Sequence, residues 1–436
     1  MFNKRVTRMI AICVLAAAFL AVPAASNAVE TTDLHNITSE DPASGNDQSS
    51  AITNDISDNE NFTVRTDKTS YTYTGREICP AVTVVSNTDS RQLTKGTDYT
   101  VTYSDNIIAG TATATVSGTG SYTGTTDVKF TISRLSISKA SANLSYTKAT
   151  YSGNLKKPGA VVKLDGKKLK SGSDYTVVYR NNRNAGTATA VIQGKNNYSG
   201  SVKKTFKIQR KSITKFSAKL SYTFTGYDGS AKKPKVTVKG RFGGSVKTLL
   251  DKGTVGSSKV KISYKNNVNT GKATVQITGK GNYTGTIQRK FKIAGQTEYG
   301  MYKKAQKNSS KTKYLILVNT SAHRVGIYKG SKNNWSEIKY WKCANGAPAT
   351  PTPKGTFEVV NRGTSFGKNK GYTAWYWTRF YKNFLFHSVL YQQGSATKLR
   401  DGRLGLAASH GCVRLAKDNS HWIYKNIPKK TKVISY

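Results

Sequence analysis

Several kinds of residue are scarce in this chain of 436 residues, and each scarcity excludes a class of protein. Nine prolines are too few for a proline-rich stalk, and 38 glycines without a three-residue period exclude a collagen-like fibre. Three cysteines beyond residue 28 are too few for a disulfide framework. After the N-terminal apolar run, no other is long enough to cross a membrane. The length instead predicts about three or more globular domains.

Acidic residues are also scarce, and they are unevenly placed. The chain has 68 Lys and Arg against 23 Asp and Glu, and eight of these acids lie in residues 29–65. Residues 66–436 hold 64 bases against 15 acids, a net charge of +49. A charge of this size favours polyanionic surroundings and opposes self-association, although it does not identify the polyanion.

The N-terminus has the pattern of a secretory signal peptide. Lys4, Arg5 and Arg8 precede an apolar stretch from Met9 to Val22, whose 14 residues are fewer than the roughly 20 that span a bilayer. The small residues of Ser26-Asn27-Ala28 predict cleavage after Ala28. We therefore expect residues 1–28 to be removed and the rest to be exported without a stable membrane anchor. The alternative is an uncleaved N-terminal anchor.

One pattern then occurs three times. Residues 29–61 are polar, acidic and without apolar periodicity, which predicts a disordered linker. Beyond them the chain repeats at offsets of 76 and 85 residues, as in Phe130-Thr131-Ile132, Phe206-Lys207-Ile208 and Phe291-Lys292-Ile293. The repeats occupy residues 62–133, 134–209 and 210–294. The larger second offset predicts an insertion in the third repeat between Gly240 and Gly256.

Each repeat is predicted to be a small β-sandwich. Apolar and polar residues alternate in short runs separated by Gly and Asn turns, which is typical of strands with one wet face. Several strands in about 76 residues fit an immunoglobulin-like sandwich, and the array resembles the immunoglobulin-like repeats of bacterial surface proteins.

Lysines crowd the repeats, as in Lys167-Lys168 and Lys203-Lys204. One interpretation is that they lie on solvated strand faces and on edge strands, where charge prevents pairing with other chains. The other is that they retain the protein on an anionic wall polymer. No nucleic-acid motif is present, so nucleic acid is not expected as a partner.

The tail differs from the repeats. Residues 295–312 are polar and predict a second linker, and residues 313–436 hold all five Trp and four of the five His. Cys343 is predicted to be buried and inert, and Cys79 has no evident chemistry. An odd number of cysteines in an exported chain leaves at least one thiol free or paired with another molecule. A free thiol in such a chain invites a chemical explanation.

The segment Ser409-His410-Gly411-Cys412-Val413-Arg414-Leu415 carries the clearest chemical signal. A Cys thiolate is a strong nucleophile, and Gly411 would leave Cys412 open to a substrate carbonyl. Successive backbone N–H groups at Gly411 and Cys412 are candidates for stabilising an oxyanion. Arg414 offers a permanent charge for a substrate carboxylate.

The nucleophile needs a base, and four histidines of the tail are candidates: His323, His387, His410 and His421. His387 lies in an apolar, aromatic strand, Phe384 to Leu390, where an imidazole is costly unless it is paired. A buried structural histidine is the alternative interpretation of that residue.

The tail resembles the L,D-transpeptidase family with the YkuD-type catalytic domain. Besides the Cys412 motif and the upstream His387, Thr350 to Phe357 is similar to the Thr-Pro-x-Gly-x-Phe segment with which a strand of that family begins. Tyr314 to Val318 and Lys432 to Ile434 are similar to its opening and closing strands. The resemblance covers residues 313–436 and predicts an all-β, multidomain chain whose catalytic domain has a short helix after the Cys motif.

The resemblance also implies roles for matching positions. Cys412 would be the nucleophile and His387 its base, held by the backbone near Ser388. No metal or cofactor is implied. The oxyanion and substrate-binding residues would be Ser388, Ser409, His410, Gly411 and Arg414. Twenty-one residues separate His387 from Ser409, more than is usual in the family, which predicts a longer surface loop within Gln392 to Arg403.

The implied reaction joins two peptidoglycan stem peptides, a donor and an acceptor. Cys412 would attack the bond after the third residue of the donor, and a side-chain amine of the acceptor would resolve the thioester into a cross-link between two third residues. Water in place of the amine would make the protein an L,D-carboxypeptidase. A non-catalytic surface-binding protein is another possibility. A cysteine peptidase or a sortase-like enzyme fits the motifs less well.

Overall fold

A computed structural model describes residues 54–436 of the chain. The predicted signal peptide, residues 1–28, and residues 29–53 of the predicted linker lie outside the described residues. Strand dominates the described part, which has two α-helices, and the prediction of an all-β, multidomain chain is confirmed. Among these residues no helix has the length and apolar composition to span a membrane.

The repeats contain 24 strands. Repeat 1 has β1 (Phe62–Thr66), β2 (Ser70–Thr72), β3 (Val82–Ser86), β4 (Tyr99–Ser104), β5 (Gly110–Gly118) and β6 (Thr125–Ser133). Repeat 2 has β7 (Leu135–Ser136), β8 (Ser141–Leu144), β9 (Lys148–Thr150), β10 (Ala160–Leu164), β11 (Lys167–Lys168), β12 (Tyr175–Arg180), β13 (Gly186–Gly194), β14 (Tyr198–Ser199) and β15 (Ser201–Gln209). Repeat 3 has β16 (Lys211–Ser212), β17 (Ser217–Leu220), β18 (Phe224–Gly226), β19 (Val236–Phe242), β20 (Ser245–Gly253), β21 (Val260–Lys265), β22 (Gly271–Gly279), β23 (Tyr283–Thr284) and β24 (Thr286–Ala294).

The chain separates into two compact units. The smaller comprises the described residues up to Val64, with residues 84–100 and 117–126. Within it, Ile56 is fully buried, Asp55 pairs with Thr123, and the rings of Phe62 and Tyr122 meet edge to face at 5.9 Å. The prediction of a disordered linker up to residue 61 is therefore wrong for its last residues. One apolar side chain, Ile56, packs these residues against the unit. A single apolar residue cannot produce a periodic pattern in the sequence.

The larger unit comprises residues 65–83, 101–116 and 127–436. In it, repeats 2 and 3 have four-stranded sheets of equivalent order, β9-β15-β13-β12 and β18-β24-β22-β21. A three-stranded sheet accompanies each, β11-β10-β8 and β17-β19-β20. In repeat 2, Val162 of one sheet shares a buried cluster with Tyr175 and Ile192 of the other. The predicted insertion of repeat 3 falls in the hairpin of β19 and β20. The immunoglobulin-like assignment stays a prediction.

The segment predicted as a second linker contains helix α1 (Gln296–Gln306), so that prediction is wrong for these residues. Met301 and Ala305, one turn apart, are fully buried and pack against Leu315 and Trp335. Two apolar residues in a run of polar ones give a weak helical period. The helix forms because the tail offers an apolar surface to this narrow face.

The tail folds around two large sheets and a short two-stranded sheet. Its strands are β25 (Tyr314–Asn319), β26 (Arg324–Lys329), β27 (Ser336–Lys342), β28 (Asn345–Gly346), β29 (Gly355–Glu358), β30 (Arg362–Phe366), β31 (Tyr372–Tyr381), β32 (Phe384–Ser388), β33 (Leu390–Gln392), β34 (Leu399–Asp401), β35 (Ala407–Ser409), β36 (Val413–Leu415) and β37 (Lys432–Ser435). A 3-10 helix spans Lys368–Lys370. Helix α2 (Lys417–Asn426) follows the Cys motif, as predicted.

One large sheet of the tail has the order β27-β26-β25-β37-β29 and the other β34-β33-β31-β32-β36, with β30 beside β31. The two sheets and α2 share one apolar core, to which Ile316, Phe386 and Ile423 contribute from the three layers. Phe386 faces this core, so its neighbour His387 points to the opposite side of its strand.

Candidate active site

Two parallel strands bring the predicted nucleophile and base together. β32 pairs with β36 in the register Phe386 to Val413 and His387 to Arg414, and Cys412 directly precedes β36. Cys412 and His387 both line one cavity of about 250 Å³. Ser409, His410 and Arg414 line the same cavity. The structure therefore gathers five of the seven predicted site residues around one space.

The His387 ring is held in one tautomer. Its Nδ1 lies 2.6 Å from the Ser388 carbonyl oxygen. Because a carbonyl only accepts hydrogen bonds, Nδ1 carries the proton and Nε2 keeps its lone pair. Burial, with a smaller contribution from the Arg414 charge, lowers the pKa of His387 to about 4. The ring is thus neutral at ordinary pH and able to accept a proton at Nε2.

Cys412 is half-buried. Its thiol contacts the Asn383 carbonyl oxygen at 3.7 Å. Burial raises the pKa of the Cys412 thiol, while the backbone of Leu385 and the Arg414 charge act to lower it. With a raised thiol pKa and a lowered imidazole pKa, the pair rests uncharged. A proton must then leave the sulfur as it attacks, which gives a neighbouring base its role.

A network of hydrogen bonds holds the turn that carries Cys412. The Ser409 hydroxyl donates to the Cys412 carbonyl and accepts from the Gly411 amide. Thr352 donates to the Gly411 carbonyl at 2.7 Å and accepts from the Gly346 amide at 2.9 Å. The Gly411 amide already donates to the Ser409 hydroxyl, so its role at an oxyanion stays a prediction. Among the described residues no acceptor is bonded to the Cys412 amide.

Gly411 is also required by the shape of this turn. Its φ is +103°, a backbone conformation that residues other than glycine rarely adopt. A Cβ at this position would lie 2.5 Å from the Phe384 ring. The ring and the positive φ together leave room for glycine alone. The absence of a side chain at position 411 therefore has a steric basis in this turn.

Arg414 is paired with a carboxylate. It is nearly fully buried and donates from Nη1 to Asp401 at 2.7 Å. Asp401 also accepts from Arg403, and these two guanidinium groups, Arg403 first, hold the pKa of the Asp401 carboxyl well below its usual range. The Nε of Arg414 is buried without a partner among the described residues. Arg414 thus keeps one donor uncommitted beside the cavity.

The sequence of residues 313–434 matches the YkuD family, described as the L,D-transpeptidase catalytic domain. A curated relative, the putative L,D-transpeptidase YciB of Bacillus subtilis, is 42% identical over 127 residues. That match covers 27% of this chain and 63% of the relative, so the chain spans less than two thirds of its length. Residues 313–434 form a YkuD-type L,D-transpeptidase catalytic domain.

Solved structures are similar to parts of the chain. A fused Zn-dependent amidase/peptidase/peptidoglycan-binding domain-containing protein from Clostridium acetobutylicum is 34% identical with a TM-score of 0.27, over 32% of this chain and 59% of that one. An L,D-transpeptidase from Mycobacterium smegmatis is 16% identical with a TM-score of 0.23, over 51% of this chain and 100% of that one.

The Ser388 hydroxyl does not face the cavity of the catalytic domain. It is fully buried, accepts from the Trp375 amide at 2.8 Å and donates to the Val389 carbonyl at 2.6 Å. The predicted substrate-binding role of this side chain is therefore wrong. Ser388 instead joins β32 to β31, and its carbonyl orients His387. Both contacts favour a positioning role.

Two of the other candidate bases, His323 and His421, lie elsewhere in the domain, as does Cys343. His323 contacts the Asn345 amide oxygen at 2.5 Å, and His421 stacks on Tyr376. Of the four candidate histidines, His387 and His410 line the cavity. Cys343 is fully buried, and this burial raises the pKa of its thiol to about 12.

The segment predicted as a longer surface loop is mostly exposed and irregular, and one short strand inside it also forms part of the cavity wall. The strand inside this segment is β34, which pairs with β33. This pairing places Arg400 in the cavity wall and Asp401 against Arg414. Lys370 lines the cavity too, and Arg400 donates to the Gly371 carbonyl. Sequence reasoning missed these residues because one lysine and one arginine do not stand out among 68 bases. The unusual His387-to-Ser409 spacing was the available signal.

Proposed function

We propose that this protein is an exported cysteine L,D-transpeptidase that joins the third residues of two peptidoglycan stem peptides. The observation that carries the proposal is the shared cavity of Cys412 and His387, with the His387 ring held so that Nε2 accepts a proton. The match of residues 313–434 to the L,D-transpeptidase catalytic domain supports the substrate class.

The first step transfers the donor to the enzyme. Cys412 attacks the carbonyl carbon of the third stem residue, and its proton passes to His387 Nε2. The Cys412 amide, with no acceptor among the described residues, is the candidate donor to the oxyanion. When the oxyanion collapses, the bond to the terminal D-residue breaks and its amine takes the proton from His387. A thioester remains on Cys412.

The second step transfers the acyl group to the acceptor. The side-chain amine of a second stem attacks the thioester, and His387 takes a proton from it and returns it to the Cys412 sulfur. The products are an amide cross-link and the free thiol. Water in the same position would yield a shortened stem, so amine and water compete at this step.

The cations around the cavity support binding of a carboxylate. Lys370, Arg400 and Arg414 line it, and Arg414 is partly neutralised by Asp401. The terminal D-residue of the donor carries a free carboxylate, and Arg400 and Lys370 are the candidates to bind it. This contact would orient the bond to be broken, because the carboxylate lies one residue beyond the attacked carbonyl.

The test uses purified protein and a disaccharide-tetrapeptide donor whose third residue has a side-chain amine, followed by mass spectrometry. The wild type should yield third-to-third dimers, and Cys412→Ala should yield none. Shortened monomers without dimers would indicate the carboxypeptidase alternative. The absence of any product that depends on Cys412 would leave the non-catalytic, surface-binding alternative.

The basic repeats support a second part of the proposal, which is retention of the enzyme in the wall. Residues 134–294 hold 34 bases against four acids. Such a segment is attracted to polyanions over a range that salt shortens. Release of the full-length protein from purified walls by salt would support this part, and binding that ignores salt would contradict it.

A further inference from the structure

The three repeats differ sharply in charge although their sequences align. Residues 62–133 hold six bases and six acids. Residues 134–209 hold 15 bases against two acids, and residues 210–294 hold 19 against two. The difference cannot come from the demands of a shared fold, since repeat 1 meets them without net charge.

In repeat 2 the cations gather on the outer face of one sheet. Phe206 and Ile208 of β15 point into the core, so Lys203 and Lys207 point outward. Lys207 pairs in register with Lys148 of β9. Arg180 of β12 lies on the same face, where Thr189 of β13 separates it from Thr205 of β15. All four cations are exposed, and no acidic residue lies on these strands.

Repeat 3 carries cations on the corresponding face. Phe291 of β24 points inward and Lys290 outward. Lys290 and Lys265 flank Thr274 in one row across the sheet. Lys261 and Lys272 are on the same face, and all four lysines are exposed. We call Lys148, Arg180, Lys203, Lys207, Lys261, Lys265, Lys272 and Lys290 the basic face.

Repeat 1 shows that this face can be built without most of the cations. Ser70 pairs with Thr131 where Lys148 pairs with Lys207. At the offset of 76 residues, Ser104 stands for Arg180 and Asp127 for Lys203. The same face of repeat 1 is therefore built from small polar residues, one acid and one lysine, Lys129, which stands where repeat 3 has Lys290.

The basic face is costly for the fold. Like charges directly opposite each other on neighbouring strands destabilise a sheet. Lys148 and Lys207 are such a pair. Among the described residues, no carboxylate forms an ion pair with any of its eight cations. Since no group in the described part of the protein offsets the repulsion between these cations, we infer that an external anion does.

We propose that the basic face of repeats 2 and 3 binds a linear wall polymer with a phosphodiester in each unit. Neighbouring strands are about 4.8 Å apart, and alternate residues of a strand about 6.7 Å, so the cations are closely spaced. Such spacing favours a polymer charged at every unit. Stem peptides fit less well, because the side-chain amine that the proposed reaction requires offsets their carboxylates. The choice of this polymer over stem peptides rests on the proposed function, whereas the binding of an anion by the basic face does not.

The test compares two full-length variants that lose the same charge. The first takes residues that repeat 1 has at equivalent places: Lys148→Ser, Arg180→Ser, Lys207→Thr, Lys261→Thr, Lys265→Ser and Lys272→Thr. The control removes six exposed lysines outside the two four-stranded sheets: Lys157→Gln, Lys168→Gln, Lys170→Gln, Lys215→Gln, Lys219→Gln and Lys233→Gln. Binding is measured to soluble poly(glycerol phosphate), and to purified walls before and after hydrofluoric acid removes their phosphodiesters.

The basic-face variant should bind poly(glycerol phosphate) at least about tenfold more weakly than the wild type, with a shallower dependence on salt. The control should stay within about twofold, and acid-treated walls should bind the wild type poorly. Equal weakening of both variants, or undiminished binding to acid-treated walls, would overturn the proposal. Cross-linking of soluble stem peptides should be unchanged in the basic-face variant, so loss of retention and loss of catalysis are measured separately.

Discussion

At the scale of single residues, the site depends on the protonation of one buried ring. The lowered pKa of His387, about 4, means that the free enzyme holds a neutral base over most of the pH range. A thiolate–imidazolium pair would instead need a raised histidine pKa and a lowered cysteine pKa. Both shifts here run in the opposite direction, so proton transfer accompanies the attack.

A pH profile tests this assignment. We expect kcat/KM to fall on the acid side as pH drops through about 4, and not through the ordinary histidine value near 6.5, because the fall reports protonation of His387 in the free enzyme. The profile is measured with a donor whose own groups do not titrate between pH 4 and 7. An acid limb centred near 6.5 would contradict the neutral resting pair.

The same pKa has a consequence for stability. The folded pKa of His387 lies below its unfolded value, so the unfolded chain binds the extra proton, and stability falls as pH drops from about 6.5 to 4. Burial raises the pKa of Glu337 to about 7, which acts in the opposite direction. As pH drops through this window, the wild type should therefore lose about 3 kcal/mol of unfolding free energy relative to His387→Gln. Tryptophan fluorescence isolates the catalytic domain, because all five Trp lie in it; a constant difference would contradict the linkage.

Gly411 offers a second test at this scale. Gly411→Ala should lower kcat by about tenfold or more and destabilise the catalytic domain by about 1–3 kcal/mol, because its Cβ meets the Phe384 ring at a positive φ. Gly394→Ala is a matched control: its φ is +70° and no atom lies near its Cβ, so it carries the backbone strain alone. Equal kcat values for the two variants would contradict this prediction, because they would show that shifting the turn that carries Cys412 does not slow the reaction.

At the scale of elements, β34 is the part of the site that sequence reasoning did not find. The motif around Cys412 is local, so the residues it predicts are near in sequence as well as in space. Asp401 and Arg400 reach the cavity only through pairing of β34 with β33, and such pairings between separate segments are not encoded in any one window. Helix α1 was missed for a similar reason, because its two buried residues gain their role from the surface on which they pack.

The contact of Asp401 with Arg414 gives a prediction for this element. Asp401→Asn should raise KM and lower kcat, together by about tenfold or more in kcat/KM, because a nearly buried guanidinium loses its anionic partner. Arg403→Gln changes the other, exposed partner of the same carboxylate and should cost less than about threefold. Equal effects of the two variants would contradict a positioning role for Asp401.

Arg400 tests the carboxylate contact. Arg400→Gln should raise KM for a donor with a free terminal carboxylate by about tenfold and leave a donor with a terminal amide nearly unchanged, because a single charged contact is lost. If both donors were affected equally, the role of Arg400 would be limited to its bond with the Gly371 carbonyl.

At the scale of the whole molecule, the catalytic residues and the basic face occupy different parts of the chain. The composition reveals the total charge, but only the strand registers distinguish the basic face from evenly solvated lysines. Repeat 1, with six bases and six acids, shows that fold and charge are separable in this protein. Wall retention and cross-linking should therefore be separable by mutation.

The most direct test of the central claim is the intact mass of the protein during turnover. Protein mixed with a tetrapeptide donor and quenched in acid should gain the mass of an acyl tripeptide, and peptide mapping should locate it on Cys412. His387→Gln should form this adduct at least about a hundredfold more slowly, because the sulfur loses its base. A wild-type protein that consumes donor without any adduct on Cys412, or a His387→Gln variant acylated at the wild-type rate, would contradict the mechanism.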